Sequence, residues 1–370
     1  MKKALLAAAL MSAGVIAHAQ SSVTLYGRLD AGLEYISGLP NASYTGSTSR
    51  WRAESGDWGT SLWGMKGTED IGGGTQVLFK LEGSFNTMNG TGPGGGGLFN
   101  RWATIGLSNA NYGTFSMGRM LYISNGVWDF DPFGQSNWSS ASLVRGRNWP
   151  QSSNNFAYQS PKWNGFDLYG QYALSNGTSW NSNPNGQGRE AGLQATYTSS
   201  LFQVRGMYDE IRNPTTGRVS GPDGAFSNSR EYTAAVNVFL GQFKIQGAYQ
   251  ALRTSGFSGA SAPSSLDHEW GGITWQATPA AAAIAAVYHV NANNGFGNAT
   301  IYTIGGTYNL SKRTLLDIQI ATVRNSKTAN FGLDANGFGN GGQVSPTSYN
   351  ENPLAGHSQS GAYIGIQHSF

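Results

Sequence analysis

Apolar and polar residues alternate over short stretches along almost the whole chain. From Val23 to Tyr35, one face carries Val23, Leu25, Leu29, Ala31 and Leu33, and the other carries Thr24, Tyr26, Arg28, Asp30 and Glu34. "FDLYGQYAL" sets Phe166, Leu168, Tyr172 and Leu174 against Asp167, Tyr169 and Gln171, and "FKIQGAYQ" sets Phe243, Ile245 and Tyr249 against Lys244, Gln246 and Gln250. A period of two predicts strands with one apolar and one polar face. The final ten residues, "GAYIGIQHSF", keep this period to the last position: Ala362, Ile364, Ile366, His368 and Phe370 oppose Tyr363, Gly365, Gln367 and Ser369. A strand ending flush with the chain leaves an exposed edge unless it is paired.

The spacing of the breaks narrows the architecture. Tight turns are predicted at "TEDIGGG" (68–74), "SNANYG" (108–113), "SPKWNG" (160–165), Gly241, "ATPA" (277–280) and "LSKR" (310–313). Between them lie long polar connections, among them 120–151 and 325–358. Short and long connections in alternation predict an all-β fold, a transmembrane up-and-down antiparallel β-barrel of about sixteen strands. A sandwich has no reason to collect its long loops at one end. In a closed barrel the last strand (361–370) pairs with the first (23–35), and every backbone N–H and C=O is satisfied without water. Ala362, Ile364, Ile366 and Phe370 then face hydrocarbon, with Phe370 in the aromatic girdle at the periplasmic interface, where it serves barrel closure and assembly.

The N-terminus agrees with export. "MKKALLAAALMSAGVIAHAQ" has a basic start, an apolar run too short to span a bilayer and a small-x-small site at Ala17-His18-Ala19. Residues 1–19 are predicted to be a signal peptide, and 20–370 a single barrel. Charged residues are 12% of the chain, against about 25% in ordinary soluble domains. Without Lys2 and Lys3, 21 basic residues face 20 acidic ones, a balance that excludes a nucleic-acid partner. There is no cysteine, so no disulfide scaffold. The histidines are scattered, with no paired metal-ligand spacing, and the glycine runs lack the Lys-Ser/Thr of a phosphate loop. No enzyme, metal or cofactor is expected.

Several longer stretches carry a resemblance. "SSVTLYGRLDAGLEY", "WGMKGTEDIGGGTQVLFKLEGSF" (63–85), "RWATIGLSNANYGTFSMGR" (101–119), "NNFAYQSPKWNGF" (154–166), "YNLSKRT" (308–314) and the terminal "YIGIQHSF" resemble the general porins of Gram-negative outer membranes. The resemblance implies a homotrimer of sixteen-stranded barrels in outer-membrane lipid, delivered by the barrel assembly machinery through the C-terminal strand. It implies a water-filled channel for passive diffusion of small hydrophilic solutes and ions. It also implies that the third external loop, about 120–151, folds into the lumen and narrows it.

Such a constriction opposes wall cations to loop carboxylates, and the field between them selects polar solutes. Asp129 and Asp131 of "DFDPFG" are the expected acidic side. Arg28, inward by strand parity, and Arg101 and Arg119, placed by motif, are the expected basic side. Simple alternation points Arg101 and Arg119 outward unless the strands bulge. Lys66 and Lys80 face inward nearer the periplasmic half, where they tune the vestibule. The chain departs from the family where Leu62 and Ser152 or Ser153 replace usual cations, which leaves Arg145 or Arg147 as replacements and puts strong anion selectivity in doubt. The loop aromatics, including Trp128, Phe130 and Trp138, either pack the loop on the wall or line the pore. A channel specific for a sugar or aromatic solute, and an adhesin-type barrel, are the alternatives to general diffusion.

Overall fold

The computed structural model describes residues 22–92, 97–144, 147, 149–174, 188–220, 224–255, 262–333 and 351–370. The expected signal peptide lies outside them. Among the described residues, seventeen strand segments make up the fold. The first six are β1 (Ser22–Pro40), β2 (Ser47–Glu54), β3 (Leu62–Gly72), β4 (Thr75–Ser84), β5 (Trp102–Asn109) and β6 (Gly113–Leu121). They are followed by β7 (Gln151–Gln159), β8 (Phe166–Ala173), β9 (Glu190–Thr198), β10 (Phe202–Ile211), β11 (Arg230–Leu240) and β12 (Phe243–Arg253). The last five are β13 (Ser265–Gln276), β14 (Ala281–Ala292), β15 (Gly297–Asn309), β16 (Thr314–Asn325) and β17 (Gln359–Ser369).

Each strand from β3 onward pairs antiparallel with the next, and β17 returns to β1 in a register running from Arg28↔Ser369 to Ser37↔Ser360. The result is a closed barrel of sixteen staves, because β2 and β3 are two pieces of one. β2 pairs with the far half of β1 and β3 with its near half. The interruption between them, residues 55–61, carries Asp57 fully buried into the interior. The terminal residue completes the ladder: Gly27 and Phe370 exchange backbone hydrogen bonds of 3.0 and 3.1 Å. The Phe370 ring lies over Gly27, where an added Cβ would come within 2.3 Å of it. Thus the C-terminal strand has no free edge, and the alternation assigned to it places Ile364, Ile366 and Phe370 on the exposed outer face.

Two features differ from the alternating pattern. First, not every connection at the long-loop end is long: β14 and β15 are joined through residues 293–296, and β1 and β2 through 41–46. Second, the inner face is not polar all round. On β1 and β4 it carries Tyr26, Arg28, Asp30, Glu34, Lys80 and Glu82, as alternation requires. From β13 to β17 it is largely apolar, with Trp270, Ile284, Ala286, Tyr288, Val290, Ala299, Ile301, Ala321, Val323 and Tyr363 all buried, although His268, Thr303, Asp317 and Gln319 are buried among them. The cause is a covering layer. Val127, Phe133, Trp138 and Leu143 from the connection between β6 and β7 join this wall in one apolar cluster, with Phe226, Phe331 and Leu333 from other long connections.

Candidate functional site

The β6–β7 connection is a belt laid against the inner wall. It contains a 3-10 helix at Ile123–Phe130 and a second at Ser140–Leu143. Its anchors follow the barrel round. The Tyr122 hydroxyl donates to the Ala191 carbonyl of β9 (2.7 Å). Arg205 of β10 donates to the Gly126 carbonyl and to Asp129 Oδ2 (2.7 Å). Asn237, Lys244 and Gln246, from β11 and β12, all donate to the Asp129 carbonyl at 3.0–3.3 Å. Trp270 Nε1 of β13 donates to the Phe130 carbonyl (2.9 Å) and Tyr288 of β14 to Asp131 (2.7 Å). Thr303 of β15 donates to the Trp138 carbonyl (2.8 Å), and Ser136 donates to Gln319 of β16 (2.7 Å). At β17 the Trp138 ring rests over Gly361, where an added Cβ would come within 2.9 Å of it. Asn137 then reaches Asp57, its N–H donating to the Asp57 carbonyl at 2.9 Å.

Two buried charges fix this belt. Asp131 accepts from the backbone N–H groups of Phe133 and Ser140, the Ser140 hydroxyl and Tyr288. Burial lifts its carboxyl above the usual carboxylate range, and those four donors act in the opposite sense. Arg147, at the other end of the belt, pairs with Asp209 and, at 3.4 Å, with Glu231. Burial works against its charge, but the two carboxylates more than offset this and hold the guanidinium above its ordinary value. Breaking such a buried pair from one side costs about 3–5 kcal/mol, because the surviving charge is stranded.

The belt's two helices lie against β9–β12 and β14, which leaves a space between the belt and the wall from β1 to β5. There a gap is lined by Arg28, Arg101, Trp58, Gly59, Thr60, Trp128, Gln135 and Trp149. Arg28 Nε donates to the Thr60 carbonyl (2.9 Å), and Arg101 Nε to Glu82 Oε1 (2.7 Å). Glu82 also accepts from Tyr26 (2.8 Å) and pairs with Lys80 (3.3 Å). Lys80 stands 4.1 Å from the centre of the Trp102 ring, and Lys66 stands 5.3 Å from that of Tyr26. These distances are in the range of cation–π attraction.

The expected site residues separate accordingly. Arg28 and Arg101 line one gap. Arg101 sits one residue before β5, off the strand's alternation, which is how it reaches the inward Glu82 and is buried. Arg119 lies at the β6 bulge between Gly118 and Met120, donates to the Asn100 carbonyl and the Ser153 hydroxyl, and is not among the residues that line the gap. Asp129 faces Arg205, its side chain 59% exposed, and Asp131 is buried in the belt. Trp128 lines the gap, Phe130 lies under the Arg205 guanidinium (4.9 Å), and Trp138 is fully buried on the apolar wall. Arg147 is held by Asp209 and Glu231, while Arg145 lies outside the described residues. Leu62 pairs with Arg28 across the β1–β3 ladder, so the missing cation would have stood beside it.

Sequence reasoning passed over Arg205, Glu82 and Trp58, and counted Trp149 only among the loop aromatics. Parity in "FQVRGMYDE" marks Arg205 as inward together with Gln203, Met207 and Asp209, so this one carried a signal. Trp58 and Trp149 stand in irregular segments where alternation gives no direction.

A family profile described as Gram-negative porin matches residues 4–328. An outer membrane porin protein of Bordetella pertussis is 30% identical over 367 residues, covering 85% of this chain and 92% of that protein. Outer membrane porin protein 32 of Delftia acidovorans is 29% identical over 391 residues and matches along the full length of both. Among solved structures, the anion-selective porin from Comamonas acidovorans has the same fold, with a TM-score of 0.78, 24% identity, and coverage of 95% of this chain and 100% of that one. The closed barrel with its inward belt and these matches, taken together, establish that the chain belongs to the Gram-negative porin family and forms a channel in the outer membrane.

Proposed function

We propose that this porin passes small hydrophilic solutes and ions by general diffusion, with weak anion preference, along the β1–β5 wall. The observation that carries the reading is charge on that wall. Arg28, Lys66, Lys80 and Arg101 stand at and below the gap against three carboxylates, Asp30, Glu82 and the buried Asp57. Asp30 is turned onto Tyr363 and Gln367 of β17, each at 3.0 Å. The carboxylates of the belt offer little opposing field: Asp131 is buried and Asp129 is paired. A relative of known structure is described as anion-selective, which favours the same sign here, while Leu62 and Ser152 in place of cations favour a small magnitude. The reversal potential of a planar bilayer under a potassium chloride gradient tests this. A modest shift toward the chloride potential is expected, and a shift toward potassium, or a silent bilayer, would sink it.

Three further readings belong to the same proposal. The family resemblance supports a homotrimer, and the mass of the detergent-solubilised protein by light scattering checks it. The leader is removed after Ala19, so Edman sequencing of membrane-extracted protein should begin at Gln20. The C-terminal strand engages the assembly machinery through Phe370, and Phe370→Asp should lower the yield of inserted barrel. Unchanged yield would reject that role.

A further inference from the structure

The uncovered gap has a second property besides its charge. Three indoles, Trp58, Trp128 and Trp149, line it together with the two arginines, and Tyr26 and Trp102 continue the aromatic lining toward the short-turn end beside Lys66 and Lys80. Of the belt's other large aromatics, Phe133 and Trp138 are spent in the apolar cluster, Phe130 lies under Arg205 and Tyr122 is bonded to β9. Arg28 and Arg101 are each pinned through Nε, and among the described residues no acceptor takes the terminal nitrogens of either fork, which leaves them for a solute. Arg147 and Arg205, by contrast, spend terminal nitrogens on protein acceptors.

We infer that the gap is a binding subsite for aromatic carboxylates in transit. The inference rests on the channel reading above. A carboxylate accepts from the guanidinium forks in charge-assisted hydrogen bonds, and an aromatic ring beside it stacks on or against the indoles. An inorganic anion gains only the first contact, and a neutral aromatic alcohol only the second. Glu82 keeps the site from becoming a trap, since it neutralises part of the charge of Arg101 and Lys80, and a conducting site must release what it binds. Trp102 and Tyr26, each beside a lysine, repeat the same pairing one step lower, so a solute leaving the arginines meets similar chemistry on its way out.

The test uses the whole protein in planar bilayers, with four probes added to the chloride electrolyte: benzoate, cyclohexanecarboxylate, acetate and benzyl alcohol. Binding is read from the concentration at which each probe halves the chloride current. Benzoate is expected to act at about two- to tenfold lower concentration than cyclohexanecarboxylate, the increment an aromatic contact gives beyond area, and below acetate and benzyl alcohol. Trp149→Leu should remove most of that benzoate preference, and Arg28→Gln should weaken all three carboxylates alike. Trp149→Phe, which keeps an aromatic ring there, serves as the conservative control and should restore much of the preference. Normal conductance with benzoate and cyclohexanecarboxylate acting equally, or a benzoate preference that survives Trp149→Leu, overturns the subsite and leaves the channel standing. A bilayer that stays silent overturns the channel reading and the subsite with it.

Discussion

The two sides of the lumen are built from the same antiparallel ladder and have opposite inner chemistry. From β13 to β17 the inward residues are Ile284, Tyr288, Val290, Ile301, Val323 and their neighbours, and the belt covers them. From β1 to β5 they are Tyr26, Arg28, Lys66, Lys80 and Glu82, and the belt stays clear of most of them. The difference teaches where the water goes. Burying apolar wall under apolar loop gains about 25 cal/mol per Å², whereas covering ionised side chains costs several kcal/mol per charge. The belt therefore settles on one side, and the aqueous path is displaced to the other. Many of its polar contacts follow suit, since the carbonyls of Gly126, Asp129, Phe130 and Trp138 accept from side chains on β10–β15.

The largest effect is expected from the apolar side. Trp138 is fully buried between the belt and Gly361, and Trp138→Ala should cost about 3–5 kcal/mol of belt docking. Single-channel conductance should rise and become noisy while the reversal potential stays where it was, because no ionised group moves. A changed reversal potential with unchanged conductance would erase the distinction between the two walls. Asp131→Asn comes next. It keeps one acceptor oxygen but turns an amide either toward the two Ser140 donors, which bind Oδ2, or toward those of Phe133 and Tyr288, which bind Oδ1, at about 1–3 kcal/mol for the group left unsatisfied. Its effect should resemble that of Trp138→Ala in kind and fall below it in size, and an anion shift of the reversal potential would show that Asp131 acts through its field after all.

On the other side the effect is electrostatic. Arg28→Gln with Arg101→Gln should move the reversal potential toward cations with little change in conductance noise. The shift should be larger in about 0.01 M salt, where screening acts over some 30 Å, than in 1 M salt, where it acts over about 3 Å. Equal shifts at both concentrations would mean that the arginines act by shape and not by charge.

Much of this comparison was legible along the chain, and the illegible part has a physical cause. Strand alternation gave the barrel, the β1–β17 closure and the inward direction of Arg28, because a period of two is written in consecutive residues. It gave no hint that Ile284 and Val290 face inward as apolar residues to meet a distant loop, since both faces of β14 read alike. Arg101 and Arg119 stand at a strand start and a bulge, where the period breaks. The belt is irregular, so which of Asp129 and Asp131 is buried depends on partners such as Tyr288 and Arg205, which lie over 70 residues away in sequence.

Asp129 supplies the smallest and most discriminating change. Its carboxylate is mostly exposed and paired with Arg205 at 2.7 Å, and exposed pairs of this kind are worth about 0–1 kcal/mol. Arg205 keeps its place without it, held by Thr196 at 3.0 Å, the Gly126 carbonyl and the face of Phe130. Asp129→Asn should therefore leave the belt docked and the conductance unchanged. Removing one negative charge from the lumen while its cation remains should shift the reversal potential slightly toward anions, by less than the opposite shift from the paired arginine changes. If the shift matched or exceeded that of Arg28 and Arg101, the field would be set from the belt, and the β1–β5 wall would lose its standing as the selecting side.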